Sequence, residues 1–317
     1  MTNSPRRPLT VLLANPRGFC AGVDRAIDIV ECALAKYGKP VYVLHDIVHN
    51  HVVVEELRRK GAAFVESLDD VPEAAPVVFS AHGVAKRIEH AAHRKNLVVV
   101  DATCPLVHKV HSEVRHHVGA GRHVVVIGHA GHAEVLGTAG QAPVGAVTLV
   151  QTVRDAETVK LPSGKLAYVT QTTLDVRETD AIVAALHRRF PGIVGPAAED
   201  ICYATSNRQG AVRDLAPLCQ AFVVVGAPHS SNSRRLVETA EHAGCANAFM
   251  LETAEQMDWQ RLDGVAALGL TASASAPEAV VRQLLEALAA RYDLSLEERP
   301  GPREDIRFNL PKALFAA

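Results

Sequence analysis

No stretch of this 317-residue sequence approaches about eighteen uninterrupted apolar residues, so it holds no candidate for a membrane-spanning helix. Aromatics make up only 4% of it, and no basic run stands out against a net charge of −2. Those two shortages argue against a nucleic-acid partner, whether duplex or stacked single strand. There is no G-x-x-x-x-G-K-[ST] and no G-x-G-x-x-G, so a nucleotide is not the favoured ligand and no motif holds a flavin or nicotinamide. No C-x-x-C pair occurs, which removes the usual mark of a zinc site. Arg6-Arg7 precedes an apolar segment that stops at Asn15-Pro16, too short for a signal core and better read as a first strand. The expected location is cytoplasmic, where the 6 cysteines are reduced, core-packed or metal-bound rather than bridged.

What the chain has in quantity is alternation. Short β-branched runs such as Val41 to Leu44, Val77 to Phe79, Val98 to Val100, Val124 to Ile127 and Phe222 to Val225 alternate with helical patterns. Helices are expected at 22–37, 50–60, 106–118, 175–189, 231–242 and 277–292, several closed by glycine. Buried strands joined by crossover helices mean an α/β fold with mostly parallel sheets covered on both faces. A chain of this length exceeds one usual core. Three similar αβα lobes are expected, at 1–103, 104–201 and 202–294, with the tail 295–317 packing back on the first.

The stretch Ala14 to Gly22 ends one strand-like run, turns through Asn15-Pro16, and displays Cys20 between two glycines before a helical pattern. Cys104, in Asp-Ala-Thr-Cys-Pro, and Cys202, in Asp-Ile-Cys-Tyr, occupy the same kind of place, 104 − 20 = 84 and 202 − 104 = 98 residues on. A thiol just before a helix is favoured as thiolate by the free N–H groups and the dipole. Three distant thiolates without a fourth suit an iron–sulfur cluster with one iron left unligated by protein. Cys32, Cys219 and Cys245 lie in apolar patterns and read as core.

Of the 16 histidines, His90, His93, His108, His111, His116 and His117 lie in helical stretches among charges and are read as solvated. His49, His82, His129 and His132 instead follow strand-like runs beside polar residues or glycine, where open sheets place ligands, and a protonated histidine there binds an anion. Hydroxyl-rich loops stand in similar places: 170–173, 230–233 and 271–277. N-capping explains one side chain per loop and leaves several hydroxyls for a phosphate-sized anion.

The motifs Asn15-Pro-Arg-Gly-Phe-Cys-Ala-Gly-Val-Asp-Arg25, Ser80-Ala-His-Gly83, Asp101-Ala-Thr-Cys-Pro-Leu106, Gly128-His-Ala-Gly-His132, Thr170-Gln-Thr-Thr-Leu174, Asp200-Ile-Cys-Tyr-Ala-Thr205 and Ser230-Ser-Asn-Ser233 resemble the 4-hydroxy-3-methylbut-2-enyl diphosphate reductase family, from Leu9 to Pro311. The resemblance implies three lobes around one [4Fe-4S] cluster with an iron not ligated by protein, held by Cys20, Cys104 and Cys202. It implies a diphosphate substrate bound by His49, His82, His132, Thr172, Ser230, Ser231, Asn232 and Ser275, with Glu134 and Thr172 at the proton-delivery positions. It also implies a reductive dehydroxylation to isopentenyl and dimethylallyl diphosphate, the last step of the methylerythritol phosphate route. Electrons would come from a separate ferredoxin or flavodoxin. The family usually has proline where Ala133 stands, glycine where Ser273 stands, and a lysine-containing segment at Ala227-Pro228-His229. Read without the resemblance, the same loops also suit a non-catalytic iron–sulfur sensor or an anion-binding module. Glu134 separates these, because a carboxylate in a pure anion site would repel its ligand.

Overall fold

The computed structural model describes residues 6–315. The chain opens with β1 (Pro8–Leu13) and α1 (Ala21–Tyr37). Then β2 (Val41–Leu44), α2 (His51–Lys60), β3 (Ala62–Val65), β4 (Pro76–Phe79), α3 (Lys86–Arg94) and β5 (Val98–Asp101) form a parallel sheet in the order β3-β2-β4-β5. Next, α4 (Pro105–Gly119), β6 (His123–Ile127), α5 (Ala133–Ala139), β7 (Val147–Val150), α6 (Val153–Thr158), β8 (Leu166–Thr170) and α7 (Val176–Arg189) give a sheet in the order β7-β6-β8. The remaining elements are α8 (Tyr203–Leu215), β9 (Ala221–Val225), α9 (Ser231–His242), β10 (Ala248–Leu251), β11 (Ala267–Ala272), α10 (Glu278–Arg291) and β12 (Asp293–Glu298). Their sheet runs β10-β9-β11-β1-β12, all parallel.

Local chemistry accounts for the helix starts. Asp175 caps α7 by accepting from Glu178 N–H, Thr152 and Asp155 form a capping box on α6, and Pro105 occupies the first position of α4. Gly38 closes α1 at φ +78°, an angle a side chain rarely adopts. Strand β1 is buried on both faces. Leu9, Val11 and Leu13 pack with Val281 and Leu284 of α10, while Leu12 and Ala14 pack with Phe222 and Leu236. This two-sided burial is why such strands read as continuous apolar runs rather than alternations. A Cβ on Gly269 would stand 2.2 Å from Phe222 Cδ2, so β11 passes that ring as glycine.

One strand order recurs three times. In the first sheet, β5 lies beside β4, which lies beside β2. In the second, residues near Val194 lie beside β8 through a parallel bridge to Ala167, and β8 lies beside β6. In the third, β1 lies beside β11, and β11 beside β9. Each strand in the β5 position runs on into one of the three loop cysteines. The first strand therefore completes the last sheet instead of beginning the first lobe. Two compact units result: one holds the chain up to Cys20, His49–Val53 and Tyr203–Ile306, the other Ala21–Val48, Val54–Cys202 and the chain from Arg307. The tail is split accordingly. Strand β12 extends the third sheet beyond β1, whereas the carbonyls of Asn309 and Ala313 accept from Arg25 and Lys36 of α1 at 2.8 Å.

Two of the histidines read as solvated are buried. His111 and His117 lie on the face of α4 that also carries Val107, Val110 and Val114. Burial first, with smaller contributions from His108 and Arg115 nearby, lowers His111 to about 4, so it is a neutral core ring.

Candidate active site at the strand ends

Cys20, Cys104 and Cys202 stand immediately before α1, α4 and α8. None is disulfide-bonded and each is partly exposed. Their backbone N–H groups follow one pattern, each donating to the loop beyond the neighbouring strand. Cys20 donates to Ala274 O at 3.2 Å, Cys104 to Ala81 O at 3.0 Å and Cys202 to Thr172 O at 3.0 Å. The loops so joined are the hydroxyl- and histidine-bearing ones. The other cysteines differ. Burial raises the thiols of Cys32, Cys219 and Cys245, Cys219 to about 12, and its Sγ donates to Leu215 O. Only Cys245 is fully buried, so the core expected around Cys32 and Cys219 is partial: both are partly exposed, as the loop cysteines are, and are set apart by their raised thiols.

In the unit containing Cys104 and Cys202, the loops after β6 and β8 meet at a buried carboxyl. Glu134, in the first turn of α5, is 2% exposed. Its Oε1 accepts Thr172 N–H at 2.7 Å and its Oε2 accepts Thr172 Oγ1–H at 3.0 Å. Burial outweighs the downward pull of those two bonds, and with nearby Asp200 it raises the carboxyl to about 7. Thr172 thus joins Glu134, through its N–H and hydroxyl, to Cys202, through its carbonyl. His132 caps α5, its Nδ1 accepting Glu134 N–H at 3.2 Å. That bond needs a lone pair on Nδ1, so the ring is neutral with its proton on Nε2. His82 lies edge-on to His132 with centroids 5.9 Å apart.

Three supporting residues here were quoted only as parts of motifs. Buried Gln171 accepts His129 N–H and donates to Thr173 Oγ1, tying two loops together. Asp200 accepts Thr170 N–H at 2.8 Å, fixing the strand end ahead of Thr172. Asp101 is held down at about 2: burial would raise it, but hydrogen bonds from His108 and from Thr103 prevail. A short polar residue beside a displayed cysteine was the available signal for both aspartates.

In the other unit, Ser230, Ser231, Asn232 and Ser275 are all buried. Ser230 caps α9, accepting Ser233 N–H at 3.3 Å, which is the one hydroxyl that capping explains. Asn232 Oδ1 accepts Ala274 N–H at 2.9 Å, and its buried Nδ2 has no hydrogen-bond partner among the described residues. Ser275 Oγ donates to His49 O at 3.1 Å. No side chain caps α10, and the buried hydroxyls of Thr271 and Ser273 also lack partners among the described residues. Donors left over at a strand end, beside the N-terminus of α9, are what a phosphate group satisfies. His229, in the segment that departs from the familiar pattern, lies edge-on to His49 with centroids 5.5 Å apart; its sequence context gave no signal of that.

Parallel sheets with thiols, imidazoles, hydroxyls and a buried carboxyl on the loops at their carboxyl ends define an α/β protein of the open-sheet class, in which ligands sit beyond those strand ends. The chain belongs to the LytB family, whose description, LytB protein, matches residues 11–289. It is 58% identical over 311 residues to the 4-hydroxy-3-methylbut-2-enyl diphosphate reductase of Paracoccus denitrificans, covering 98% of each chain. It is 56% identical to the enzyme of that name from Roseobacter denitrificans, covering 97% of this chain and 98% of that one. Among solved structures it is similar to the E-1-hydroxy-2-methyl-but-2-enyl-4-diphosphate reductase of Plasmodium falciparum, with a TM-score of 0.92, 37% identity and 98% of each chain covered.

Proposed function

We propose that this protein reduces 4-hydroxy-3-methylbut-2-enyl diphosphate to isopentenyl and dimethylallyl diphosphate, with two electrons and two protons consumed and water released. The observation that carries the reading is the Glu134–Thr172 pair, buried, held near neutral pKa and hydrogen-bonded to the Cys202 loop, in a chain 58% identical to a reductase of this name. Cys20, Cys104 and Cys202 would hold an iron–sulfur cluster. The donor set fits: three partly exposed thiols outside any disulfide, on loops pinned at the same N–H, with no fourth cysteine in such a place. When bound, a [4Fe-4S] cluster with one open iron would relay the donor's electrons one at a time and offer a Lewis-acid position for the substrate hydroxyl.

The chain's own residues do the rest. Ser230, Ser231, Asn232 and Ser275 supply hydroxyl and amide donors for the diphosphate, with His49, His82 and His132 completing the anion site. His132 binds through Nε2–H, as a neutral ring. Glu134 holds a proton at neutral pH because burial disfavours its carboxylate, and Thr172 Oγ1 can pass that proton on. One proton leaves with the hydroxyl as water and the other ends on the allyl carbon. Electrons enter from a separate ferredoxin or flavodoxin, in the cytoplasm.

The test is anaerobic incubation of substrate with a reduced donor, and both products are expected. A protein that binds iron yet yields neither product would be a sensor or an anion-binding module. Diphosphate binding supplies an independent check. No lysine or arginine belongs to the proposed ligand set, so affinity by titration calorimetry is expected to fall as pH rises through about 6.5, the ordinary histidine range. Because His132 is already committed as neutral, that dependence reports His49 and His82. Affinity flat across the range would mean that amides and hydroxyls suffice.

A further inference from the structure

Each loop cysteine is followed, one and a half turns into its helix, by a cation that has no part in the chemistry above. Arg25 comes five residues after Cys20, Lys109 five after Cys104, and Arg208 six after Cys202. Each reaches the backbone carbonyls ahead of a different cysteine. Arg25 Nη1 donates to Ala102 O at 3.3 Å and Thr103 O at 3.1 Å, just before Cys104. Lys109 Nζ donates to Ala198 O, Glu199 O and Asp200 Oδ1 at 2.5, 3.1 and 2.8 Å, just before Cys202. Arg208 Nε and Nη2 donate to Gly18 O at 3.1 and 2.8 Å, and Nη2 to Phe19 O at 3.3 Å, just before Cys20.

These carbonyls belong to turns that have left their sheets, so no strand neighbour satisfies them. A charge-assisted bond from a cation fixes such a turn more firmly than a neutral donor would. Arg208 shows the degree of commitment. It is wholly buried, and its remaining donors bind Ala204 O and the Glu304 carboxylate. A salt bridge with Glu304 would alone explain a buried arginine, but not why the guanidinium fork spans two carbonyls beside a displayed thiol.

We propose that Arg25, Lys109 and Arg208 are positioning residues for Cys104, Cys202 and Cys20 respectively, so that each thiol is set by the helix following a different thiol. The proposal rests on the reading of these cysteines as cluster ligands, but its geometry does not need the cluster, and the test uses that. In full-length cluster-free protein, the iodoacetamide labelling rate of every cysteine is measured by mass spectrometry. In anaerobically purified holoprotein, the rate of cluster loss to an iron chelator is followed by visible absorbance. Arg25→Met is expected to speed labelling of Cys104 about tenfold or more while Cys20 and Cys32 change less than about twofold, and Lys109→Met to do the same at Cys202. Arg208→Met is expected to act at Cys20. Since that change strands the Glu304 carboxylate, Arg208→Met/Glu304→Met, which removes both partners, is run beside it. Arg25→Lys, Lys109→Arg and Arg208→Lys should restore part of the protection, and every methionine variant should lose its cluster faster.

Acceleration of the cysteine ahead of the variant's own helix, or of all cysteines alike, overturns the proposal. So does unchanged labelling in folded variants. The crossed labelling pattern with cluster loss unchanged would uphold the positioning and overturn the assignment of these cysteines as ligands.

Discussion

Glu134→Gln is expected to leave the cluster in place and the substrate bound at least as tightly, while turnover falls by about 10²–10⁴, the usual cost of removing a general acid. Glutamine keeps the size and can still accept Thr172 N–H, but it has no proton to give. The wild-type carboxyl is suited to the task because burial raises it from 4.5 to about 7. The same shift makes a second expectation. A folded-state value above the unfolded one contributes stability that is fully present below about 4.5 and is lost as pH rises through about 7. With about 1.4 kcal/mol per unit, the loss across that window is on the order of 3 kcal/mol in substrate-free protein. Glu134→Gln should flatten that slope in denaturant titrations between pH 5 and 8. Near-normal turnover with normal binding would place the proton source elsewhere, for instance on the substrate's own diphosphate. A loss confined to binding would return Glu134 to a structural role.

The sequence exposes the strand-end cysteines well, because a polar turn between an apolar run and a helix is a local pattern that needs no tertiary information. Helix α9 was legible to the residue, since Ser230 caps it and its apolar face repeats at 3.6 residues. Strands β3 and β10 are as short as β2, β4 and β5 but carry at most one β-branched residue each, so they did not stand out from neighbouring loops by composition. Helix α5 has seven residues, with a glycine among them, so periodicity had little to work on, although it carries the buried Glu134. The pairing of β1 with β11 joins residues more than 250 positions apart and leaves no local trace at either strand. That is why the first strand was assigned to the first lobe. His111 is a different kind of miss, since Val107, Val110, Val114 and His117 mark its face at helical spacing and the charges beside it were given too much weight.

The cation interactions follow the same division. Arg25 lies inside a motif visible in the sequence, yet its acceptors lie 77 and 78 residues away. Spacing alone marks a charge in the second turn of α1. Only the fold shows which cysteine it serves.

The three loop cysteines should behave as a set distinct from the other three. Cys20→Ser, Cys104→Ser and Cys202→Ser are each expected to lose iron and activity together, whereas Cys32→Ala, Cys219→Ala and Cys245→Ala keep both. The contrast is one of environment. The first three stand immediately before helix N-termini, where the dipole favours a thiolate, whereas Cys32 and Cys219, although also partly exposed, do not. The second three have thiols raised by burial and are poor ligands at neutral pH. Loss of a direct ligand should exceed the roughly 10–100-fold penalty typical of losing an outer partner, so iron per chain in anaerobically purified protein separates the two groups without an activity assay. Circular dichroism on the same samples guards against unfolding, which matters most for Cys245, at 2% exposure. A folded Cys219→Ala or Cys245→Ala protein without its iron would move the cluster into the core of the third sheet. A Cys20→Ser protein with full iron would leave only two of the proposed ligands in place.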